Sequence, residues 1–205
     1  MAVKIYGKLF MANVRRVLVV CEELKLEYEL IQDYKDTKSP FGHVPVLIDT
    51  NGFQLYESRA ICRYLVVKYG SPQHSGLLPD ASDIERSALF EQAASVEYSC
   101  FEPSGIVIAW ELSLAKKFGF PSDEAEAEKH KETIKKNIQG YERILAKHKY
   151  LSGDTLTLVD LWHLPYGAYF EEHVPEVFTS SPNVQRWWRD ISSRSSWKAV
   201  LAKSE

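Results

Sequence analysis

The sequence predicts a small α/β domain followed by an all-helical one. Three observations carry this. A β-α-β unit, a loop and a β-β-α unit can be read in order before residue 70. The stretch "GSPQHSGLLPD" over 70–80 then gathers Gly, Pro and Ser into a linker. Beyond it, every apolar pattern has helical spacing, so the two kinds of structure are segregated along the chain.

The elements follow in order. Val3 to Tyr6 alternates as a short strand that Gly7 stops. From Asn13, which can cap a helix, Val14, Val17, Leu18, Cys21 and Leu24 form a stripe one face wide. Glu27 to Ile31 is a second strand. Val44 to Ile48 and Phe53 to Tyr56 are two more, joined by Asp49-Thr50-Asn51-Gly52, where Asn-Gly is a hairpin signal. Ser58 can cap a helix carrying Ile61, Leu65 and Tyr69. These residues make a domain over 1–70, a linker over 71–81 and a helical domain over 82–205. Within the last, one long pattern runs from Ser82 to Lys117 with a break or kink at Pro103 and Gly105, and another covers Ser122 to His148. Shorter helices are expected from Thr157, from Pro182 and near Ser195.

Bulk properties narrow the function. The 205 residues carry a net charge of −3 with no clustered basic surface, which argues against a nucleic-acid partner. No apolar run reaches transmembrane length and the start "MAVKIYG" has no apolar core of a leader, so a cytoplasmic protein without membrane contact is expected. Cys21, Cys62 and Cys100 are far apart within apolar patterns and read as small buried hydrophobes. The six His lack ligand spacing, so no metal is expected.

The most informative stretch is "FGHVPVLID…FQLYESRAI". A proline entering a strand removes a ladder donor, which suits a cis turn at Val44-Pro45 that leaves the preceding backbone free to pair with an extended ligand. Glu57 and Ser58 stand where a strand meets a helix. Ser58 and the first helical amides can bind a carboxylate, and Glu57 can take an ammonium group. Together they describe a site for a free α-amino-acid end. The alternative is that Ser58 only caps the helix and Glu57 only favours its dipole.

On these residues the chain resembles the cytosolic glutathione transferases. "FGHVPVL" and "LYESRAICRYL" look like the glutathione-binding half of that family's thioredoxin-like N-terminal domain, and "YLSGDTLTLVDLWHLPY" like the capping-box segment of its helical domain. "NVQRWWRDISSRSSWKAV" and the early "RRVL" are similar to the phi class. The resemblance implies an α/β thioredoxin-like domain plus an all-α C-terminal domain with a hydrophobic co-substrate pocket. It also implies glutathione as co-substrate, a hydrophobic electrophile or a peroxide as second substrate, a homodimer touching over Glu85 to Tyr98, and a role in detoxification or stress response. Carried over by position, Val44 would pair with the cysteinyl part of glutathione, Pro45 would be the cis proline, and Glu57 and Ser58 would hold the γ-glutamyl end; His43 would either lie near the peptide or serve only as a surface loop residue. Thr157 and Asp160 would close a structural capping box.

The chain departs from the phi pattern twice. Aligning on "RRVL" puts Met11 where the class has its thiol-activating Ser, and a thioether cannot donate a hydrogen bond. The helix-start amides, the Asn13 side chain, or the potential of Arg15 or Arg16 are the candidate substitutes; Asn13 serves equally as a cap, and Arg16 is expected to be a surface or interface charge. In addition, "DYKDTKSPFGHVP" is shorter than in the family, where basic residues meet the glycine carboxylate. Lys35 and Lys38 are either replacements for those contacts or solvated loop lysines. Phe10 and Met11, with Tyr98, Phe101, Ile106, Trp110 and Tyr166, are the candidate walls for a hydrophobic co-substrate. Two functions are thereby expected: a transferase of weak or atypical activity, or a non-catalytic carrier of glutathione and hydrophobic ligands.

Overall fold

The computed structural model describes residues 2–33 and 39–203. Lys35 and Lys38 lie outside the described residues. The chain divides into two compact units, Met1–Leu78 with Ser192–Glu205, and Pro79–Ile191.

In the first unit, β1 (Val3–Tyr6), α1 (Ala12–Leu24), β2 (Tyr28–Ile31), β3 (Val46–Ile48), β4 (Gln54–Tyr56) and α2 (Ser58–Tyr69) follow in that order. The sheet order is β2-β1-β3-β4. β1 and β2 are parallel across α1, with Ile5 opposite Leu30. β3 runs antiparallel to both β1 and β4, with Leu47 opposite Ile5 and Leu55. The expected hairpin forms: Asp49 N–H donates to Phe53 O at 2.8 Å, and Gly52 takes a φ of 82°.

α1 is not the one-faced helix of the sequence reading. Val17, Leu18, Val19, Val20 and Cys21 are all fully buried. A helix apolar all round needs cover on more than one side. α2 supplies one cover and α11 (Ser195–Ala202) the other. Residues 192–203, expected with the helical half, thus belong with the first unit. Arg194 Nε meets Glu23 Oε2 at 3.2 Å and Lys203 Nζ meets Glu22 Oε1 at 2.5 Å, so charged pairs edge the α1–α11 contact.

Asp49 ties the hairpin to α2. Its Oδ2 accepts from Lys68 Nζ at 2.6 Å and from the Tyr64 hydroxyl, and its Oδ1 accepts from the Tyr69 hydroxyl. Burial by itself would raise this carboxyl. The bonds from Lys68, Tyr64 and Tyr69 outweigh that and hold it well below the usual carboxylate range. A carboxyl depressed in the folded state stabilises above its unfolded value, near ~4, and that contribution is lost as pH falls toward the folded value. Asp49→Asn is therefore expected to cost about 2 kcal/mol in denaturant unfolding at pH near ~7, with the gap to the parent narrowing below pH ~4. A gap that stays constant with pH would exclude this role.

The second unit is helical. α3 (Ile84–Val96), a π turn (Glu97–Phe101), α4 (Glu102–Ala109), a second π turn (Trp110–Leu114) and α5 (Ala115–Lys117) make up the long pattern. At the expected break or kink the chain stays helical, but the ladder changes to a π turn at Glu97–Phe101, directly before α4. Pro103 is the second residue of α4, which continues directly from that π turn. Gly105 instead admits a neighbour: a Cβ on it would lie 2.6 Å from Tyr166 Cβ. α6 (Glu124–Leu145), α7 (Leu158–Trp162), α8 (Leu164–His173), α9 (Glu176–Thr179) and α10 (Pro182–Ser192) complete the unit. Its core gathers Phe101, Tyr141, His163, Phe170 and Trp187, with the Phe101 ring 4.5 Å from His163 and 4.8 Å from Phe170. His163 Nδ1 lies 2.7 Å from Val159 O and Nε2 lies 3.1 Å from the Tyr141 hydroxyl. A carbonyl only accepts, so the Nδ1 proton faces Val159 and the ring packs within the core.

Candidate functional site

The end of β1 converges with two other segments at Gly7. Its φ is +143°, and a Cβ there would lie 2.5 Å from Val14 Cγ2 and 3.4 Å from Val44 Cβ. Glycine lets the strand end, the first turn of α1 and the loop before β3 meet. In that loop the Val44–Pro45 peptide bond is cis, Pro45 is buried and Val44 is half-buried. His43 is exposed, with its ring centroid 6.2 Å from that of Phe41.

The start of α1 differs from the sequence reading by two residues. Met11, not Asn13, is the cap residue, with φ −74° and ψ 124° and no side-chain cap bond. The cause is a tight turn: Met11 N–H donates to Lys8 O at 3.0 Å, so the chain reverses over Leu9 and Phe10 and enters the helix directly after Met11. Arg15 Nε holds this turn by donating to Leu9 O at 2.9 Å. Val14 and Arg15 N–H both point to Met11 O at 3.0 Å. Asn13 is therefore the second helical residue, and its side chain is turned to other use. Its Oδ1 accepts from Arg16 Nη1 at 2.6 Å.

Arg16 is not the surface or interface charge expected of it. It is 0% exposed, and the same Nη1 donates to Ser58 Oγ at 3.0 Å. Val17, Leu18, Val19, Val20 and Cys21 beside it are all buried, so this stretch of α1 offers Arg16 no solvent side. Cys62 Sγ, on α2, lies 3.5 Å from Arg16 O and closes the same contact.

At the start of α2 the cap is Glu57 rather than Ser58. Glu57 has φ 71° and ψ 111°, a region that side chains rarely adopt and that costs on the order of 1–3 kcal/mol. Its side chain is exposed and makes no cap bond, while its carbonyl accepts from Ile61 N–H at 2.9 Å. Ser58, the first helical residue, is 5% exposed. Backbone strain of this kind clusters at functional sites.

The structure brings Met11, Asn13, Val44, Pro45, Glu57 and Ser58 together within the first unit through Gly7 and Arg16. The proposed pocket walls of the second unit divide. Phe101 is fully buried in the aromatic core, so its ring fills the helical unit instead of facing a ligand. Tyr166 is nearly buried against Gly105. Tyr98, Ile106 and Trp110 are exposed. Ile106 and Trp110 are one helical turn apart, and the Trp110 ring lies 5.7 Å from that of Phe120. Among the described residues no group of three or more His, Cys, Asp or Glu could hold a metal ion, and no helix is long and apolar enough to cross a membrane.

Comparison with known proteins places this arrangement. The family model of the glutathione S-transferase N-terminal domain matches residues 5–73, and that of the C-terminal domain matches residues 81–195. Glutathione S-transferase PM239X14 of Arabidopsis thaliana is 43% identical over 197 residues, with 91% of this chain and 89% of the relative covered. The crystal structure of glutathione transferase F2 from Populus trichocarpa superposes with a TM-score of 0.87 at 34% identity, over 99% of this chain and 100% of that one. A glutathione S-transferase-I solved with the ligand lactoylglutathione superposes with a TM-score of 0.88 at 28% identity, over 98% of this chain and 99% of that one. With both family domains matched in order and nearly the whole chain aligned, the chain belongs to the glutathione S-transferase family, in the phi class that its motifs resemble.

Proposed function

We propose that this chain binds glutathione in its first unit and promotes attack of the glutathione sulfur on a hydrophobic electrophile or a hydroperoxide, without a hydroxyl to activate the thiol. The observation that carries this is the start of α1: a cap residue with no donor, no side-chain cap, and Asn13 two residues further on. A free thiol is mostly protonated at neutral pH, so some group must favour the thiolate. The Asn13 amide and the first N–H groups of α1 are the donors available there, and the helix dipole adds to them. The Val44 backbone, freed by the cis bond, pairs with the cysteinyl part of glutathione, with His43 near the peptide. Ser58 takes the γ-glutamyl carboxylate and Glu57 its ammonium group. In conjugation the sulfur lone pair forms the C–S bond while a leaving group departs with its electrons. Holding the two reactants together supplies much of the rate even where thiolate stabilisation is modest.

We assign Phe10 and Met11 of the first unit to the co-substrate; Tyr98, Ile106 and Trp110, exposed apolar side chains of the second unit, are candidates in their own right. We assign a homodimer as well, because Phe41 and Val67 of the first unit and Ile84 and Leu89 of the second are large, apolar and exposed in the single chain. Light scattering on the purified protein decides this. A cytoplasmic location, expected from the sequence, is part of the same reading and is checked by cell fractionation.

A second reading has its own observation. Met11 offers no hydrogen bond to a thiolate, which suits a carrier that holds glutathione and hydrophobic ligands without turnover. Retention on immobilised glutathione, followed by assays with model electrophiles and a hydroperoxide, separates the two. The proposed transferase is retained, turns over at least one substrate, and loses about tenfold in kcat on Asn13→Ala, the scale of one hydrogen bond to a charged group. Retention without turnover on any substrate favours the carrier, and absence of retention sinks both.

A further inference from the structure

Arg16 Nη1 carries two hydrogens, and both have acceptors: Asn13 Oδ1 at 2.6 Å and Ser58 Oγ at 3.0 Å. A guanidinium donates and never accepts. Two orientations follow from that alone. The Asn13 carboxamide must turn its oxygen to Arg16, so its Nδ2 hydrogens are left to donate elsewhere. The Ser58 hydroxyl must meet Arg16 with a lone pair, so its own hydrogen is also left to donate elsewhere. One fully buried cation thus sets a donor at the start of α1 and another at the start of α2. It polarises them too, because an amide or hydroxyl that accepts from a cation becomes a stronger donor.

We propose that Arg16 is a positioning residue for glutathione: through Asn13 it aims an N–H at the sulfur, and through Ser58 it aims an O–H at the γ-glutamyl carboxylate. The inference rests on the roles given above to Asn13 and Ser58 and adds the group that orients both. It also accounts for the burial of a charge whose desolvation is costly and whose place in α1 an apolar residue would fill more favourably. The placement makes one residue the link between the cysteinyl sulfur and the γ-glutamyl end of the bound peptide. Its loss should therefore appear in two separate readouts, the acidity of the bound thiol through Asn13 and the affinity for glutathione through Ser58.

The test uses the purified full chain with glutathione. The thiol is titrated by its thiolate absorbance in the binary complex, and affinity is measured by calorimetry. Arg16→Gln is expected to raise the bound thiol pKa by about one unit, which is about tenfold less thiolate at a fixed pH below it. It should also weaken glutathione binding by about tenfold, and Arg16→Lys, which keeps charge and donors, should recover most of both effects. In an Asn13→Ala background, Arg16→Gln should move the thiol pKa by less than about twofold in thiolate fraction. In a Ser58→Ala background it should leave affinity nearly unchanged. Equal effects of Arg16→Gln in parent and variant backgrounds would overturn the proposal, as would an unchanged thiol and affinity in Arg16→Gln itself. If Asn13→Ala leaves the thiol pKa unmoved, the reading of Asn13 as donor fails, and the Arg16 proposal is judged on the Ser58 arm alone. Should Arg16→Gln not fold, Asn13→Asp carries the test. It keeps the acceptor for Arg16 and presents an oxygen in place of the N–H, so thiolate should fall more than tenfold; a thiol equal to the parent's overturns the proposal.

Discussion

Asp160→Ala is expected to cost at least about 4 kcal/mol and to lower the melting temperature by about 8–16 °C. Asp160 is fully buried and accepts four hydrogen bonds. Its Oδ2 takes the Thr157 amide at 2.9 Å and the Thr157 hydroxyl at 3.1 Å, and its Oδ1 takes the Leu151 amide at 3.1 Å and Trp187 Nε1 at 2.9 Å. Burial pushes this carboxyl up, and those bonds pull against the shift. Truncation to Ala leaves several donors buried and unmet, at about 1–3 kcal/mol each. A loss of that size is a large fraction of the ~5–15 kcal/mol that holds an ordinary domain folded. Asp160→Asn separates the two halves of the network. Its oxygen can serve Leu151 and Trp187, but its NH₂ then faces the Thr157 donors, so about half of the loss should remain. Thermal unfolding followed by near-ultraviolet circular dichroism reports both, because Trp187 is among the partners. An Ala variant within about 1 kcal/mol of the parent would show that the network adds little.

Thr157, Asp160 and the hairpin at Asn51-Gly52 were legible because each is decided by its own neighbours in sequence. The same holds for the turn at Val44-Pro45, where proline chemistry acts locally. What escaped was decided by distant residues. Arg16 reads as a solvated charge until α2 brings Ser58 to 3.0 Å, and α1 reads as one-faced until α11 returns to cover its other side. Phe101 has the composition of a pocket wall, and only the convergence of Tyr141, His163 and Phe170 makes it core. Residue preference makes Asn13 a cap, yet the Lys8–Met11 turn ends two residues earlier and settles the helix start. Glu57 at φ 71° could not be read from propensity, since a residue with a side chain disfavours that region unless its surroundings impose it.

Met11→Ser is expected to lower the pKa of bound glutathione by about one to two units and to raise the conjugation rate by about tenfold or more. Met11 has extended backbone and caps α1 without a side-chain bond, which is the geometry in which a Ser hydroxyl lies beside the first helical amides. In the free protein that hydroxyl should cap the helix and add about 1 kcal/mol of stability. With glutathione bound, it can accept nothing useful from a thiolate but can donate to it. One hydrogen bond to a charged acceptor is worth about 1.5–3 kcal/mol, which corresponds to about one to two pKa units. The variant also reports on the parent. If Asn13 is the donor in the native chain, Asn13→Ala should cost less in the Met11→Ser background, because the hydroxyl then shares the sulfur. An unchanged thiol pKa in Met11→Ser would mean that the start of α1 does not meet the sulfur. A lowered pKa without faster conjugation would place the limit at co-substrate binding, where Met11 supplied apolar surface that Ser does not replace. On the proposed function, Met11 exchanges thiolate stabilisation for apolar contact beside the helix start, and the two readouts weigh one against the other.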